Sequence, residues 1–392
     1  MRYVVAFLLF VASTTSVEAR VIRIPAEQPD LQMAMQVASW GDTLLLAPGV
    51  YGGPGNQGFQ KTVEHINIIS EAGPEATVID LAGGFFIHPE DPEYSTLPYS
   101  IEGITFRGGA DAIIFGTEGP RRVHNCILEH NQTGLVANIL YTEGVIDSCV
   151  FRENVTGILL ADEAYQLVRG NLFIKNQLAL DVRDALNSEI VGNVIAYNGW
   201  GVKRYTDFFT FTDNVVYAND CGVEIWEVTG PPRYSYNDVF ANYWDYCDSI
   251  DYTGVDGNIS VDPMFCDSTL ATGMSVYYNS PLLWSLESRG ISMGNVTGGC
   301  TCCQIRVGDA NGQGGDEPTI GDISVMIDAR FITGSCILEG PNANITCLAE
   351  ADINQSGGVN PTCDDITIGD IAILIYSGFV VPFIILPDCL SQ

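Results

Sequence analysis

The sequence predicts a mainly β solenoid, a parallel β-helix in which each repeat makes one turn, closed by a short N-terminal capping helix and followed by a small α-helical unit. Three observations carry this. A repeat of 21–23 residues marked by Asn runs through the middle of the chain. Inside it, apolar residues alternate over short runs, and no apolar stripe at helical period is present. After Cys303 the pattern changes to an acidic, Gly-rich segment that occurs twice.

The chain begins with Met1-Arg2-Tyr3, the apolar run Val4 to Ala12 and a polar stretch ending Val17-Glu18-Ala19, which fits a secretory signal peptide over 1–19. That run is too short to span a bilayer, and no comparable run follows; Phe379 to Leu386 is interrupted by Pro382. The expected mature protein is secreted or held at the cell surface, with no transmembrane segment after cleavage. Its 17 Lys+Arg against 48 Asp+Glu, a formal charge of -31, exclude nucleic acid and anionic membranes as partners, because phosphates would be repelled. All 12 Cys follow the cleavage point, so some disulfides are expected. They fall into local sets: Cys126 and Cys149; Cys221, Cys247 and Cys266; Cys300, Cys302 and Cys303; Cys336 and Cys347; Cys363 and Cys389. Spacing leaves their pairing open. No His lies near Cys300-Thr301-Cys302-Cys303, which favours disulfides over zinc there.

Asp30 followed by Leu31 to Ala38 reads as a short amphipathic helix with an Asp N-cap, suited to closing the first coil. Segments Ile66 to Ser70, Ala76 to Asp80 and Ile101 to Phe106 read as early, less regular coils. The repeat proper starts at His124-Asn125-Cys126-Ile127 and returns at Asp147, Gly170, Gly192, Asp213 and Tyr236. A second Asn follows in each unit, at Asn131, Asn154, Asn176, Asn198, Asn219 and Asn242, usually with Gly three residues on, as in Gly134, Gly157, Gly201 and Gly222. Asn and Gly mark the turns where positive φ is tolerated, and Asn side chains in register can form amide ladders. Ile158, Leu160, Leu180, Val182, Val202, Val223 and Ile225 are then inward. Arg204 falls in that inward series, which implies either a one-residue slip of its coil or a buried charge. Gly257 to Phe265 leaves the repeat.

Ile22-Arg23-Ile24-Pro25, Leu31-Gln32-Met33-Ala34, Gly41 to Tyr51 and Gly257 to Pro263 resemble secreted bacterial right-handed parallel β-helix proteins of the pectate-lyase-like superfamily, over about residues 20–298. The resemblance implies the right-handed sense. This architecture carries lyases, hydrolases, epimerases, adhesins and inert scaffolds, so it does not choose a chemistry. The Asp-Asp and Gly-His-Gly set of polygalacturonases and the Arg-x-Pro-x-x-Arg of pectate lyases are absent.

Residues 299–307 read as a Cys-rich linker. Beyond them Gly308 to Gly315 is echoed by Ala351 to Gly358, and Thr319 to Ser324 by Thr367 to Ala372. Each pair reads as an acidic, Gly-containing loop leading into an amphipathic helix, the EF-hand-like arrangement of alternating oxygen side chains that holds Ca²⁺. The duplicated 308–392 segment resembles a type I dockerin, which implies Ca²⁺ as cofactor and a cohesin-like protein as partner. Carried onto this sequence, the ligands are Asp309, Asn311, Gln313 and Asp322 in one loop and Asp352, Asn354, Ser356 and Asp370 in the other. Gln313 and Ser356 stand where that family usually has Asp. The alternative is a pair of turn loops stapled by cysteines that no longer binds metal.

Counting from the second Asn places Val136, Leu159, Asp181, Lys203 and Glu224 in one outward column and Asn138, Ala161, Arg183, Tyr205 and Trp226 in another. Aromatic faces stack on sugars and paired carboxylates serve as acid and base. Asp181, Lys203 and Glu224 are therefore the candidate catalytic residues, and Arg183, Tyr205 and Trp226 the candidate substrate-binding residues, with Lys203 or Arg183 as base in a lyase. The competing reading is a charge ladder that solvates the sheet. The four His form no constellation. The expected role is carbohydrate recognition or polysaccharide processing outside the cell, and an enzyme would be a polysaccharide lyase or glycoside hydrolase; the alternative is a non-catalytic structural or adhesive surface protein.

Overall fold

A computed structural model describes residues 19–59, 65–87, 100–115, 122–137, 143–161, 164–183, 185, 187–205, 209–225, 233–247, 250–266, 270, 273–277, 280–283, 292–300, 307–311, 319–332, 336, 345, 347–358, 361–380 and 386–387. The predicted signal peptide lies outside them except for Ala19, and so do Gln313, Trp226 and Asn138.

Three parallel sheets of ten, nine and seven strands wind into one solenoid, and each regular coil gives one strand to each. One coil runs Arg122–His124, Ile127–Glu129, Thr133–Ala137; the next starts at Glu143–Asp147. The first corner has a left-handed residue, such as Ser148 (φ 56), Gly170 (φ 59) or Asp213 (φ 57). The second corner has Glu153 (φ 57), Lys175 (φ 57), Tyr197 (φ 58) or Ala218 (φ 53). A ladder residue follows directly. The ladder Asn are therefore not themselves the positive-φ residues; the bend sits one position earlier.

The second-corner ladder is the predicted one. From Asn131 to Asn242, each Asn donates its backbone N–H to the Oδ1 of the next at 2.8–3.0 Å and its Nδ2 to the same oxygen at 2.9–3.1 Å. The first-corner ladder differs from the expected alignment. Its rungs are Cys126, Cys149, Asn171, Asn193, Asn214, Asn237 and Asn258, so Asn125 and Ser148 are corner residues and the two thiols stand in for amides. A thiol is a weak acceptor, and the Cys126 N–H reaches the Cys149 Sγ at 3.4 Å. Cys126 and Cys149 are free and buried, although grouped as a local pair by spacing.

The core fills as the pattern predicts. Ile158, Leu160, Leu180, Val182, Val202 and Val223 are fully buried, and Phe151 stacks on Phe173 with centroids 4.8 Å apart; the Ile225 side chain lies outside the description. Gly157 and Gly201 are required by close approach of neighbouring coils: an added Cβ would meet the Ala179 and Gly222 carbonyl oxygens at 2.5 Å. Helix α1 (Leu31–Val37) forms with Asp30 accepting from Met33 N–H at 2.8 Å, and it buries Leu31 and Ala34. Arg204 resolves as a buried charge with no slip, since its strand pairs Val182↔Arg204↔Ile225. Its guanidinium lies 5.1 Å from the Phe209 ring centroid and 5.4 Å from that of Tyr234, a cation–π setting that offsets part of its desolvation.

Near the C-terminal end of the solenoid, Asp238 is fully buried, accepting the Val261 N–H at 3.0 Å through Oδ1. Burial pushes its carboxyl up to about 8, against the Val261 bond and with help from Asp262 and Asp245. A folded value above the unfolded one means the stability linked to this proton is complete below about pH 4 and is lost as pH rises through 8. Asp238→Asn keeps the acceptor without the charge. Its thermal midpoint is expected to fall less than that of the native chain between pH 5 and pH 9; parallel curves would refute the assignment.

A second core, including Val307, Ala310, Met326, Ile353 and Leu374, belongs to the C-terminal segment. There α2 (Ile320–Ile327), the short α3 (Leu348–Ala351) and α4 (Ile368–Ile375) follow in order, and α2 and α4 start alike. Thr319 and Thr367 are N-caps, each closing a capping box with Asp322 or Asp370. Cys336–Cys363 joins the two halves, across the local sets that spacing suggested.

Candidate functional site

The predicted outward column exists in register: Leu159↔Asp181, Asp181↔Lys203 and Lys203↔Glu224 pair on consecutive strands of the seven-stranded sheet. Its members are less open than a solvating ladder would be. Asp181 and Glu224 are 5% and 6% exposed, while Lys203 is half-buried. Arg183 grips Asp181 through Nε at 3.1 Å and Nη2 at 2.8 Å, both on Oδ2. Lys203 Nζ stands 3.6 Å from Glu224 Oε2, 5.8 Å from the Trp200 ring centroid and 5.7 Å from that of Tyr205. Burial opposes the Lys203 charge, but hydrogen bonding to Tyr205 and the Glu224 carboxylate outweigh it and hold the ammonium above its ordinary value. The Asp181 carboxylate likewise raises Arg183 through its hydrogen bonds and charge.

Lys203 and Glu224 form part of the floor of an open cleft of about 670 Å³, walled by Trp200, Tyr243, Trp244 and Tyr246, with Asp220 and the Cys221–Cys247 disulfide completing it. Trp200, Cys221 and Trp244 are register partners on three successive strands. The two indoles are thus two strand spacings apart along the solenoid axis, about 9–10 Å. Trp200 is 46% exposed and Trp244 59%; Tyr243 lies edge-on to Trp244 with centroids at 4.4 Å. Burial raises the Tyr246 phenol, so it stays a neutral donor.

Of the sequence-predicted residues, the structure therefore brings Lys203 and Glu224 into one cleft with Tyr205 beside them. Asp181 and Arg183 form their own ion pair one coil earlier and do not line it. The aromatic walls were missed because simple alternation counted back from Lys203 turns Trp200 inward. In the strand Trp200–Arg204 the order is out, Gly, in, out, in: Gly201 packs under the next coil without a side chain and shifts the parity. The readable signal was the position two residues after each second Asn, which holds Trp200, Cys221 and Trp244.

The His form no common cluster among the described residues, but His124 joins a second polar group and His130 has its own acidic partner. On the ten-stranded sheet, Asp147 is nearly buried and receives Arg122 Nε at 2.9 Å and Nη2 at 2.7 Å, His124 Nδ1 at 3.1 Å and Arg169 Nη2 at 3.7 Å. His130 meets Glu153 at 3.2 Å. A cavity of about 430 Å³ lies beside Asp147 and Arg169 and includes Glu189 and Asn295.

In the C-terminal segment, Asp322 Oδ2 accepts from Thr319 N and Oγ1, both at 2.7 Å, and Oδ1 accepts from Asn311 N at 3.0 Å. Asp370 repeats this with Thr367 at 2.8 and 2.7 Å and Asn354 at 2.9 Å. Asp352 takes Ser356 N and Gly357 N. Asp309 N–H donates to Glu350 at 2.9 Å. Three of the four lone pairs on Asp322 and on Asp370 are thereby used inside the loop, and among the described residues no three His, Cys, Asp or Glu side chains form a group. No helix among the described residues is long and apolar enough to cross a membrane.

A family model described as "Right handed beta helix region" matches residues 93–234, the stretch that holds the central coils. No curated protein matches. Among solved structures, the A-module of Azotobacter vinelandii mannuronan C-5 epimerase AlgE6 is 17% identical over 52% of this chain and 68% of that one, with TM-score 0.38. The AlgE4 A-module from the same organism is 15% identical over 53% and 71%, with TM-score 0.37. Pectate lyase Pel9A is 13% identical over 73% and 89%, with TM-score 0.41. The fold that carries the cleft is a parallel β-helix whose central coils match the right-handed β-helix model.

Proposed function

We propose that this chain is an exported β-helix protein that recognises polysaccharide in the cleft of its seven-stranded sheet. The observation that carries the reading is the pair of exposed indoles, Trp200 and Trp244, in one column above the Lys203–Glu224 pair. Aromatic faces receive the C–H faces of sugars, and a few fixed polar groups orient the hydroxyls, which is the composition of a ligand site. Binding is favoured over turnover because both candidate lyase bases are held in their charged form, Lys203 by Tyr205 and Glu224 and Arg183 by the Asp181 carboxylate. Disulfides fit an oxidising compartment, in keeping with export.

The test is a panel of soluble polysaccharides followed by intrinsic Trp fluorescence, with reducing ends and absorbance near 235 nm as readouts of hydrolysis or elimination. Expected is saturable binding without product, weakened about tenfold or more in Trp200→Ala and Trp244→Ala, roughly the 1.4 kcal/mol of one stacking platform. Product whose formation stops in Glu224→Gln would replace recognition by catalysis, and no binding to any glycan would leave the structural or adhesive alternative.

The duplicated C-terminal segment is proposed as a dockerin-like attachment module for a cohesin-like partner, on its resemblance and internal duplication. Ca²⁺ at Asp309, Asn311, Gln313, Asp322, Asp352, Asn354, Ser356 and Asp370 is the part of that proposal tested by thermal unfolding in a Ca²⁺ titration. A midpoint that rises with Ca²⁺ supports the metal, and an unchanged one removes it.

A further inference from the structure

We infer that the ligand of the Trp200–Trp244 cleft is an uncharged oligosaccharide lying along the solenoid axis, and that polyuronates are rejected. The inference rests on the proposed reading of this cleft as a glycan site and adds its charge selectivity and direction.

The first ground is the supply of cations. A uronate chain brings a carboxylate with every sugar, and holding it takes Lys or Arg that is not already committed. Lys203 is the only cation lining the cleft among the described residues, and Glu224 stands at 3.6 Å from it. The nearest cation on the adjacent coil, Arg183, is engaged with Asp181 by two hydrogen bonds. Asp220 lines the cleft as well. The sequence adds none nearby: between Arg204 and Arg289 the chain carries a single Lys or Arg, Arg233, whose strand lies in the ten-stranded sheet. A carboxylate entering the cleft thus meets two acids and one ammonium, inside a chain of formal charge -31. Like charges brought together across an interface select strongly against a partner.

The second ground is geometry. Trp200 and Trp244 share one column with Cys221 between them, and the disulfide from Cys221 to Cys247 ties the outer strand to the inner one. The two platforms repeat at about two strand spacings, 9–10 Å, close to the length of a disaccharide unit. A chain running along the axis can place alternate sugars on the two indoles, with Asp220, Lys203 and Glu224 beneath to hydrogen-bond hydroxyls. Charged groups paired with each other still offer acceptors and donors to neutral hydroxyls.

The experiment titrates the full chain with hexasaccharides of two kinds: neutral ones (β-1,4-glucan, xylan and mannan) and acidic ones (galacturonate and mannuronate). Binding is read by Trp fluorescence at 20 and 200 mM salt. Expected is that at least one neutral hexasaccharide binds, at least tenfold tighter than either uronate, with an affinity insensitive to salt. The double variant Asp220→Asn, Glu224→Gln, checked for an unchanged thermal midpoint, is expected to narrow the gap by improving uronate binding, which then weakens with salt. Uronates binding the native chain as tightly as neutral sugars overturn this inference and leave the cleft a glycan site. A gap unchanged in the double variant overturns the electrostatic cause. Binding of neither class, or binding that survives both Trp200→Ala and Trp244→Ala, overturns the reading of the cleft itself.

Discussion

Asn176→Ala is expected to lower the stability of the solenoid by about 3–5 kcal/mol, since three buried groups lose their partner at about 1 kcal/mol or more each. The groups can be named. Asn176 Oδ1 accepts from the Asn154 backbone N–H and from Asn154 Nδ2, both at 3.0 Å, and its own Nδ2 donates to Phe151 O at 2.9 Å. Alanine leaves two donors and a carbonyl in a site that is 2% exposed at Asn176 and at Asn154. Because coils in a solenoid are held by their neighbours, the loss falls on the interfaces on both sides of one turn. The comparator is Cys126→Ala at the start of the other ladder, where the thiol donates only to carbonyls at 3.3 and 3.8 Å; about 1 kcal/mol is expected there. Urea unfolding of the two variants measures the contrast, and equal losses would show that the amide rungs are not what joins the coils.

Asp147→Ala is expected to cost about 2–4 kcal/mol at pH 7. Its carboxylate, 7% exposed at the side chain, pairs with Arg122 and His124 from the preceding coil and with Arg169 from the following one. Removing one partner of a buried pair strands the other charge, and the figure is kept below the full penalty because Arg122 and Arg169 are 44% and 53% exposed. Burial would raise the Asp147 carboxyl, but the Arg122 hydrogen bonds and the charge of His124 hold it below its ordinary value. A depressed folded value means the contribution is present above the unfolded value near pH 4 and is lost as pH falls through the lower folded one. The gap between native and variant stability is therefore expected to be widest near neutrality and to close below pH 4. A gap that persists at pH 2–3 would assign the loss to packing.

One turn per repeat, the inward residues and the second Asn ladder were legible because each repeats a local rule at a fixed period, and the capping helix because Asp30 caps an amphipathic run. What escaped was decided between coils. Cys126 and Cys149 took ladder positions because their thiols reach the right N–H and C=O groups, while Asn125, the residue type that marks the repeat, was needed at a left-handed corner. Trp200 turned outward because Gly201 broke the alternation. His124 found Asp147 because residues 23 apart stand side by side once register is set, and that partner is invisible to linear spacing. Lys203 and Glu224 were readable as a column, but the walls that make a cleft of them come from the last coil, Tyr243 to Cys247, where the repeat is fading.

The Asn ladder has a direction. Every rung gives its hydrogens to the oxygen of the rung that follows in sequence, so each completed turn holds out donors that only the next turn can satisfy. A chain emerging from its N-terminus thus grows as a template, with the newest coil always the least finished. The last rung breaks the rule: Asn242 gives both hydrogens to Asp245, three residues on in its own turn, at 3.1 and 2.8 Å. A carboxylate borrowed from the same coil ends the series, which makes Asp245 a full stop in a structure whose length is otherwise open to the insertion of further repeats.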